Sequence, residues 1–191
     1  MSGVVGKKLD CKYKSFFSQA AQRGKPMPYC QLFYHLVWAT KHRQPLLTPK
    51  VEKIIHNFLR AKAVGLGGTV FALNGVEDHV HMVVSIPPSI AVAKFVGQVK
   101  ATASTKFNKD YPEYPVFFWQ EEYGAFSFDA KRLPNHIAYV ERQKEHHTQG
   151  TTIQVLERLD DSFPKLVRET PSTYWVEADE WRQELMALDT A

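Results

Sequence analysis

The chain has 191 residues, of which 44% are hydrophobic and 23% are charged. This balance fits one globular domain with appendages and excludes a wholly disordered chain. No apolar stretch approaches the roughly 20 residues that a membrane span requires, and the N-terminus lacks the hydrophobic region of a secretory signal. Two cysteines are too few for a disulfide framework, so we expect free thiols and a cytoplasmic location.

Charge is distributed unevenly along the chain. The net charge is +4, but residues 151–191 contain nine acidic and four basic residues. Residues 1–150 contain 20 basic residues, 11 acidic residues and all eight histidines. A basic body followed by an acidic extension indicates a polyanionic partner, with nucleic acid the leading candidate. A charge that serves only solubility is an equally good interpretation of the composition alone.

Alternating apolar residues predict strands, and apolar residues three or four positions apart predict helices. Residues 1–28 read as a basic arm with a short helix around Ser15–Gln22. The elements predicted after it are a strand over Gln31–Thr40, a helix over Pro49–Val64, strands over Thr69–Asn74 and Asp78–Ile86, a helix over Ile90–Asn108, two short candidates for the next β position over Val116–Trp119 and Gly124–Phe128, and a helix over Pro134–His147.

The order β-α-β-β-α-β-α predicts an α+β fold. It is that of a ferredoxin-like βαββαβ antiparallel sheet with an added C-terminal helix. We therefore expect a basic N-terminal arm over residues 1–28, a folded domain over residues 29–150 and an acidic C-terminal extension over residues 151–191. The extension has one predicted element, a short helix near Val176–Leu188.

Two histidines stand out in the third predicted strand. His79 and His81 are two residues apart, so both rings project from the same face, roughly 7 Å apart along the strand. Val80 and Met82 then face the opposite side and a hydrophobic core. Two neutral imidazoles side by side can share a divalent cation. A pair of hydrogen-bonded histidines at a sheet edge is the alternative.

The added helix carries a second candidate pair. Tyr139 and Gln143 are four residues apart and therefore lie on one helix face. A phenol and an amide presented together can serve as a nucleophile and a metal-ligating oxygen. For Tyr139 alone, packing in the core is the simpler interpretation. Tyr123, beside Gly124, is a rival nucleophile that lacks a ligand partner at helical spacing.

Four sequence blocks occur in order over about residues 30–147, namely Tyr34–Lys41, Glu77–Ser89, Trp119–Ser127 and Tyr139–His147. Together they resemble the single-tyrosine transposases of the IS200/IS605 group, including the REP-associated tyrosine transposases. The resemblance implies an HUH-class enzyme in which His79, His81 and Gln143 bind Mg²⁺ or Mn²⁺ and Tyr139 is the nucleophile. It also implies a homodimer that cuts and rejoins single-stranded DNA beside a hairpin, with no small-molecule cofactor and no membrane partner.

Several other residues could contact DNA or support the site. Lys41 and Arg43 follow the first strand, and Lys100 lies on the second helix, where it could line a DNA groove. A solvated turn is nearly as good an interpretation for Lys41 and Arg43, and a dispersed soluble surface is an equally good one for Lys100. His35 could neighbour the metal pair, although a satisfied core histidine is the simpler alternative. Asp78 adjoins the pair as a supporting or turn residue rather than as a ligand.

Two other functions fit parts of this pattern. A ferredoxin-like sheet with aromatic residues could be a non-catalytic module that binds single-stranded nucleic acid. Such a module has no need of the two histidines, Tyr139 and Gln143 together. A metal-dependent hydrolase that uses water would survive loss of Tyr139, whereas a transposase would not.

Overall fold

The computed structural model describes residues 30–159. The predicted arm over residues 1–28 and the predicted helix near Val176–Leu188 lie outside these residues, as does Cys11. Cys30 is a free thiol, as expected. No helix within residues 30–159 is long and apolar enough to cross a membrane.

The described chain contains four strands and four α-helices. They are β1 (Phe33–Ala39), α1 (Pro49–Gly65), β2 (Thr69–Gly75), β3 (His79–Ser85), α2 (Val92–Asp110), β4 (Gly124–Phe128), α3 (Leu133–Glu141) and α4 (Gln143–Gln149), with short 3-10 turns at Lys41–Arg43, Ala130–Arg132 and Gln154–Glu157.

The strands form one sheet in the order β2-β3-β1-β4, and every neighbouring pair is antiparallel. This is the predicted α+β, ferredoxin-like arrangement, which is therefore confirmed. The central pairing of β1 with β3 places Ala39 opposite His79 and Val37 opposite His81. The histidine pair thus lies in the interior of the sheet, flanked on both sides by other strands, and the predicted alternative of a sheet edge is wrong.

Both faces of the sheet are covered, so β3 is buried on both sides. One cluster packs the sheet against α1 and α2 and includes Leu36, Trp38, Ile55, Val80, Met82, Phe95 and Val99. The other packs the opposite face against α3 and includes Phe33, Val83, Leu133, Ile137, Tyr139 and Val140. Because side chains alternate along β3, the histidines face the α3 side, as predicted from Val80 and Met82.

The predicted helix over Pro134–His147 is divided in two by the structure. Arg142 has φ −103° and ψ 20°, which ends α3, and α4 begins at the next residue. The Arg142 N–H donates to the carbonyl of Val140 instead of continuing the α-helical pattern. Tyr139 and Gln143 therefore belong to consecutive helices rather than to one.

The predicted strand over Val116–Trp119 is also wrong. Of these residues only Trp119 pairs with the sheet, by a single bridge to Thr40. The Asn108 side chain on α2 takes the place of a strand partner, because it accepts from the Phe117 N–H at 2.7 Å and donates to the Phe117 carbonyl at 2.9 Å. An asparagine amide can satisfy both backbone groups of one residue.

His56 on α1 predicts a pH-dependent stability. Burial lowers the pKa of its imidazole from 6.5 to about 4. Between these values the unfolded chain binds a proton that the folded protein does not, so the free energy of unfolding falls as pH drops from 7 to 4. We expect His56→Leu to remove about 3 kcal/mol of that loss, measured by urea denaturation at both pH values. An unchanged loss in the variant would contradict this account.

Candidate active site

His79 and His81 form the centre of the candidate site. Their ring centroids are 5.1 Å apart on the same face of β3, and the two residues are 3% and 0% exposed. The side chain between them, that of Val80, packs in the opposite core. The predicted same-face arrangement is therefore confirmed.

The Nδ1 atom of each histidine is held by a neighbouring side chain. His79 Nδ1 lies 2.6 Å from Asp78 Oδ1, and His81 Nδ1 lies 2.8 Å from His35 Nε2. His35 is fully buried on β1, and its Nδ1 atom lies 3.2 Å from Nδ1 of His136. Contacts behind an imidazole fix its orientation and tautomer, and here they direct both Nε2 atoms toward one place. Asp78 and His35 are thus supporting residues.

That place is occupied by the carboxylate of Glu157, in the 3-10 turn Gln154–Glu157. Its Oε2 atom lies 3.1 Å from the Nε2 atoms of both His79 and His81, and 3.5 Å from His147 Nε2. One ligand atom from each of the four residues lies within 4.8 Å of every other. Three imidazoles and a carboxylate are a composition that suits a divalent transition metal.

Tyr139 meets the same carboxylate from the other side. Its hydroxyl donates to Glu157 Oε1 at 2.5 Å and accepts from the Ile153 N–H at 2.9 Å. The ring lies 6.2 Å from that of His81 and is stacked on His146 at 4.8 Å. Glu157 therefore connects the predicted nucleophile to the histidine pair.

Gln143 is fully buried at the start of α4, one turn beyond Tyr139. Neither its amide oxygen nor its amide nitrogen makes a hydrogen bond within residues 30–159. The amide nevertheless lies close enough to the Tyr139 hydroxyl to favour its ionised form. A buried amide without a partner costs free energy, so the oxygen is available to a ligand.

Burial and charge set the protonation of these groups. Burial raises the pKa of Tyr139 to about 12, and the hydrogen bond to Glu157 adds to this effect. Burial also lowers the pKa of His81. For His79, burial alone would lower the pKa, but the hydrogen bonds to Asp78 and Glu157 raise it overall. For Glu157, burial is outweighed by the two histidines, which hold its pKa well below the usual range.

The protein-family model described as "Transposase IS200 like" matches residues 29–143, more than half of the chain. The chain belongs to the IS200-like transposase family. The match includes His79, His81, Tyr139 and Gln143 and ends before His147 and Glu157. It confirms the resemblance that the sequence blocks indicated.

Individual transposases show the same relationship. The ISDra2 transposase TnpA of Deinococcus radiodurans is 31% identical over 98 residues, which cover 51% of this chain and 69% of that protein. The transposase for insertion sequence element IS200 of Salmonella typhimurium is 21% identical over 126 residues, which cover 64% of this chain and 83% of that protein.

Two solved structures of other proteins are also similar to the structure of this chain. The crystal structure of a candidate transposase from Deinococcus radiodurans has a TM-score of 0.50 and 25% identity, covering 64% of this chain and 97% of that one. A REP-associated tyrosine transposase bound to a REP hairpin has a TM-score of 0.48 and 12% identity, covering 69% of this chain and 76% of that one.

Two residues at the site of this transposase, His147 and Glu157, were not predicted from the sequence. His147 has a usable signal, because it lies four residues after Gln143 and so on the same face of α4. Its position near the end of a helix is also typical of a side chain that interacts favourably with the helix dipole, so the spacing alone does not mark it as a ligand. Glu157 has no such signal, since it lies in a 3-10 turn within the region predicted as an acidic extension.

Of the two predicted phosphate contacts, Arg43 contacts a residue of the transposase site, and Lys41 lies two residues before it in the same turn. Both are exposed in the turn that follows β1. Arg43 Nη1 lies 3.1 Å from Asp78 Oδ2, the carboxylate that also holds His79. A cavity of about 600 Å³ opens here and is lined by Arg43, Lys144 and His147 among others. DNA contact by these side chains stays a prediction.

Lys100 has a different position from the predicted DNA groove. The residue is 7% exposed, and its Nζ donates to the carbonyls of Gln120, Glu121 and Glu122 at 2.6, 2.9 and 3.1 Å. A lysine ammonium has three donors, so none is left for a phosphate. Burial lowers the pKa of Lys100 to about 8. The predicted DNA contact is therefore replaced by a structural role.

We expect Lys100→Met to lower the free energy of unfolding of the transposase by about 2–4 kcal/mol, because three loop carbonyls lose their donor. Urea denaturation measures this change. Lys94→Met, at an exposed position of α2, is the matched control and should be near neutral. Lower DNA affinity in Lys100→Met without a loss of stability would contradict the structural role.

Proposed function

We propose that this transposase cuts and rejoins single-stranded DNA through a 5′-phosphotyrosine on Tyr139. In this proposal it is an HUH-class enzyme, with His79 and His81 binding Mg²⁺ or Mn²⁺. The observation that carries the proposal is the convergence on one carboxylate of the Tyr139 hydroxyl and the Nε2 atoms of the histidine pair. A core tyrosine and two structural histidines have no need of that arrangement.

The residues present fit a divalent metal ion. The Gln143 amide is a buried polar group without a hydrogen bond in the described part of the chain, and the buried His79 Nε2 is directed at the Glu157 carboxylate, 3.1 Å away. His79, His81 and Gln143 would hold the ion, as the resemblance implies. Imidazole nitrogens suit Mn²⁺ better than Mg²⁺, which prefers oxygen ligands. A cation bound there supplies positive charge that polarises and orients the scissile phosphate.

The role of Tyr139 follows from its chemistry and its position. Its hydroxyl oxygen attacks phosphorus and gives up its proton, the bond from phosphorus to the 3′ oxygen breaks, and the 3′ oxygen takes up one proton in exchange. The leaving oxygen becomes a free 3′-hydroxyl, and the downstream strand stays attached to Tyr139 through its 5′ phosphate. Because the phosphodiester bond is exchanged rather than hydrolysed, the 3′-hydroxyl can later reverse the step and reseal a strand without ATP.

The proposed partners are single-stranded DNA with a hairpin and a second copy of the chain. Lys41 and Arg43 are the proposed phosphate contacts, supported by their exposure in the turn after β1, by the contact of Arg43 with Asp78 and by the basic charge of residues 1–150. The homodimer is supported by family membership and is tested by light scattering of the purified protein.

The proposal is tested with a pool of DNA hairpins that carry randomised single-stranded flanks. The protein is incubated with Mn²⁺ or, separately, with Mg²⁺, together with pools labelled at the 5′ or the 3′ end, and the products are separated on a denaturing gel. We expect a covalent protein–DNA band that carries the 3′ label and a released fragment that carries the 5′ label.

The same gel separates the competing functions. Binding without cleavage would favour the non-catalytic module. Cleavage without a covalent band would favour a hydrolase that uses water. Absence of the covalent band with every pool and with either metal would overturn the proposed function.

A further inference from the structure

The described chain continues past the family-matched residues and returns to the site. Leu156 packs in the cluster formed with α3, and its N–H donates to the Ile153 carbonyl at 2.8 Å. Gly124 at the start of β4 leaves room for this segment, because a Cβ atom there would overlap the Arg158 carbonyl oxygen. Glu157 is therefore held against the sheet, because the residues before and after it, Leu156 and Arg158, both pack there.

We propose that Glu157 is a ligand of the divalent metal and also the residue that positions the Tyr139 hydroxyl. The proposal rests on the proposed function and extends its active site beyond residues 29–143. His147 is the fourth member of the ligand set, with His79 and His81.

The spacing of the four ligand atoms supports the first part of the proposal, which is that Glu157 is a ligand of the metal ion. Neighbouring ligands of one ion, each about 2.0–2.2 Å from it, lie about 2.9–3.6 Å apart in tetrahedral or octahedral geometry. Glu157 Oε2 lies 3.1, 3.1 and 3.5 Å from the three imidazole Nε2 atoms. Each of these oxygen–nitrogen distances is that of two adjacent ligands on a single ion, and all four ligand atoms lie within 4.8 Å of one another.

The chemistry of the ligand set also supports metal ligation by Glu157. Two imidazoles and an amide carry no negative charge and suit a hard divalent cation poorly. The Glu157 carboxylate adds a charged oxygen ligand, which compensates the cation in a buried site. With three imidazoles present, the set favours Mn²⁺ over Mg²⁺.

The second carboxylate oxygen of Glu157 supports the other part of the proposal, which is that Glu157 positions the Tyr139 hydroxyl. Oε1 accepts from the Tyr139 hydroxyl while Oε2 faces the imidazoles, so one carboxylate spans the nucleophile and the ligands. The Ile153 N–H holds the hydroxyl from a second direction. Two hydrogen bonds from one segment fix the direction in which the tyrosine oxygen points.

The test measures Mn²⁺ binding by isothermal titration calorimetry in the full chain and in Glu157→Gln. We expect the variant to bind Mn²⁺ at least about tenfold more weakly, since glutamine has the same shape but no charge. Glu145→Gln, at an exposed glutamate of α4, is the matched control and should bind as the unmodified chain does. Equal or tighter binding by Glu157→Gln would overturn metal ligation by Glu157.

The positioning role has a separate readout. At Mn²⁺ concentrations that saturate Glu157→Gln, we expect the covalent product to form at least about tenfold more slowly than in the unmodified chain. A full return of the rate at saturating Mn²⁺ would overturn this half. If the unmodified chain forms no covalent product, the proposed function fails; if it does and Glu157→Gln matches it in both measurements, only the role of Glu157 fails.

Discussion

Tyr139→Phe is expected to abolish the covalent protein–DNA product, with a loss on the order of 10³-fold or more. Phenylalanine keeps the buried ring in the core but has no oxygen to attack phosphorus. Metal binding and DNA binding should persist, because neither depends on the hydroxyl as a ligand. A denaturing gel measures the product, and calorimetry measures the Mn²⁺ that the variant still binds.

Tyr123→Phe is the matched control for this prediction. Tyr123 packs against the other core cluster, on the α1 and α2 side of the sheet. The Tyr123→Phe variant should therefore form the covalent product at the normal rate. The Tyr139 variant should also be less stable by about 1–3 kcal/mol, because Glu157 Oε1 and the Ile153 N–H lose a buried partner. A covalent product that persists in Tyr139→Phe would remove Tyr139 from the proposed mechanism.

His81→Ala is expected to weaken Mn²⁺ binding by about 100-fold or more and to suppress the covalent product with it. His81 is fully buried, and its Nε2 atom is directed into the cluster by the His35 contact on the other side of the ring. Calorimetry with Mn²⁺ measures the loss.

The control for His81→Ala is His42→Asn. His42 is exposed and has a positive φ of 56°, which asparagine tolerates better than most residues do. The His42→Asn variant should bind Mn²⁺ with the affinity of the unmodified chain. Unchanged Mn²⁺ affinity in His81→Ala would show that the histidine pair is structural and would remove the proposed metal centre.

The sheet and the histidine face could be predicted because local patterns determine them. The apolar alternation of β3 continues through Val80, Met82 and Val84, so the side chains between them must face the other side. The proline and glycine signals around α1 mark its limits well. The order of elements then leaves few topologies, and the ferredoxin-like arrangement is one of them.

The errors arose where hydrogen bonds that the apolar pattern does not reveal decide the outcome. Apolar spacing gives no warning that Arg142 ends a helix or that Asn108 binds the backbone of Phe117. Lys100 was predicted as a DNA contact because its charge suggests exposure, yet the loop carbonyls that it binds are 20 or more residues away in sequence. Such long-range partners cannot be derived from the pattern around one residue.

The candidate site was predictable only in part for the same reason. His79, His81, Tyr139 and Gln143 lie in motifs with a recognisable spacing. Glu157 lies outside them, and a single glutamate in an acidic region carries no signal of its own. Only the folded chain shows that its carboxylate contacts both the tyrosine and the histidines.

The most direct measurement identifies the residue that becomes attached to DNA. The covalent product formed with Mn²⁺ is digested with nuclease and protease, and the modified peptide is sequenced by mass spectrometry. The account predicts a nucleotide linked through its 5′ phosphate to Tyr139. A nucleotide linked to Tyr123 or to any other residue would contradict it.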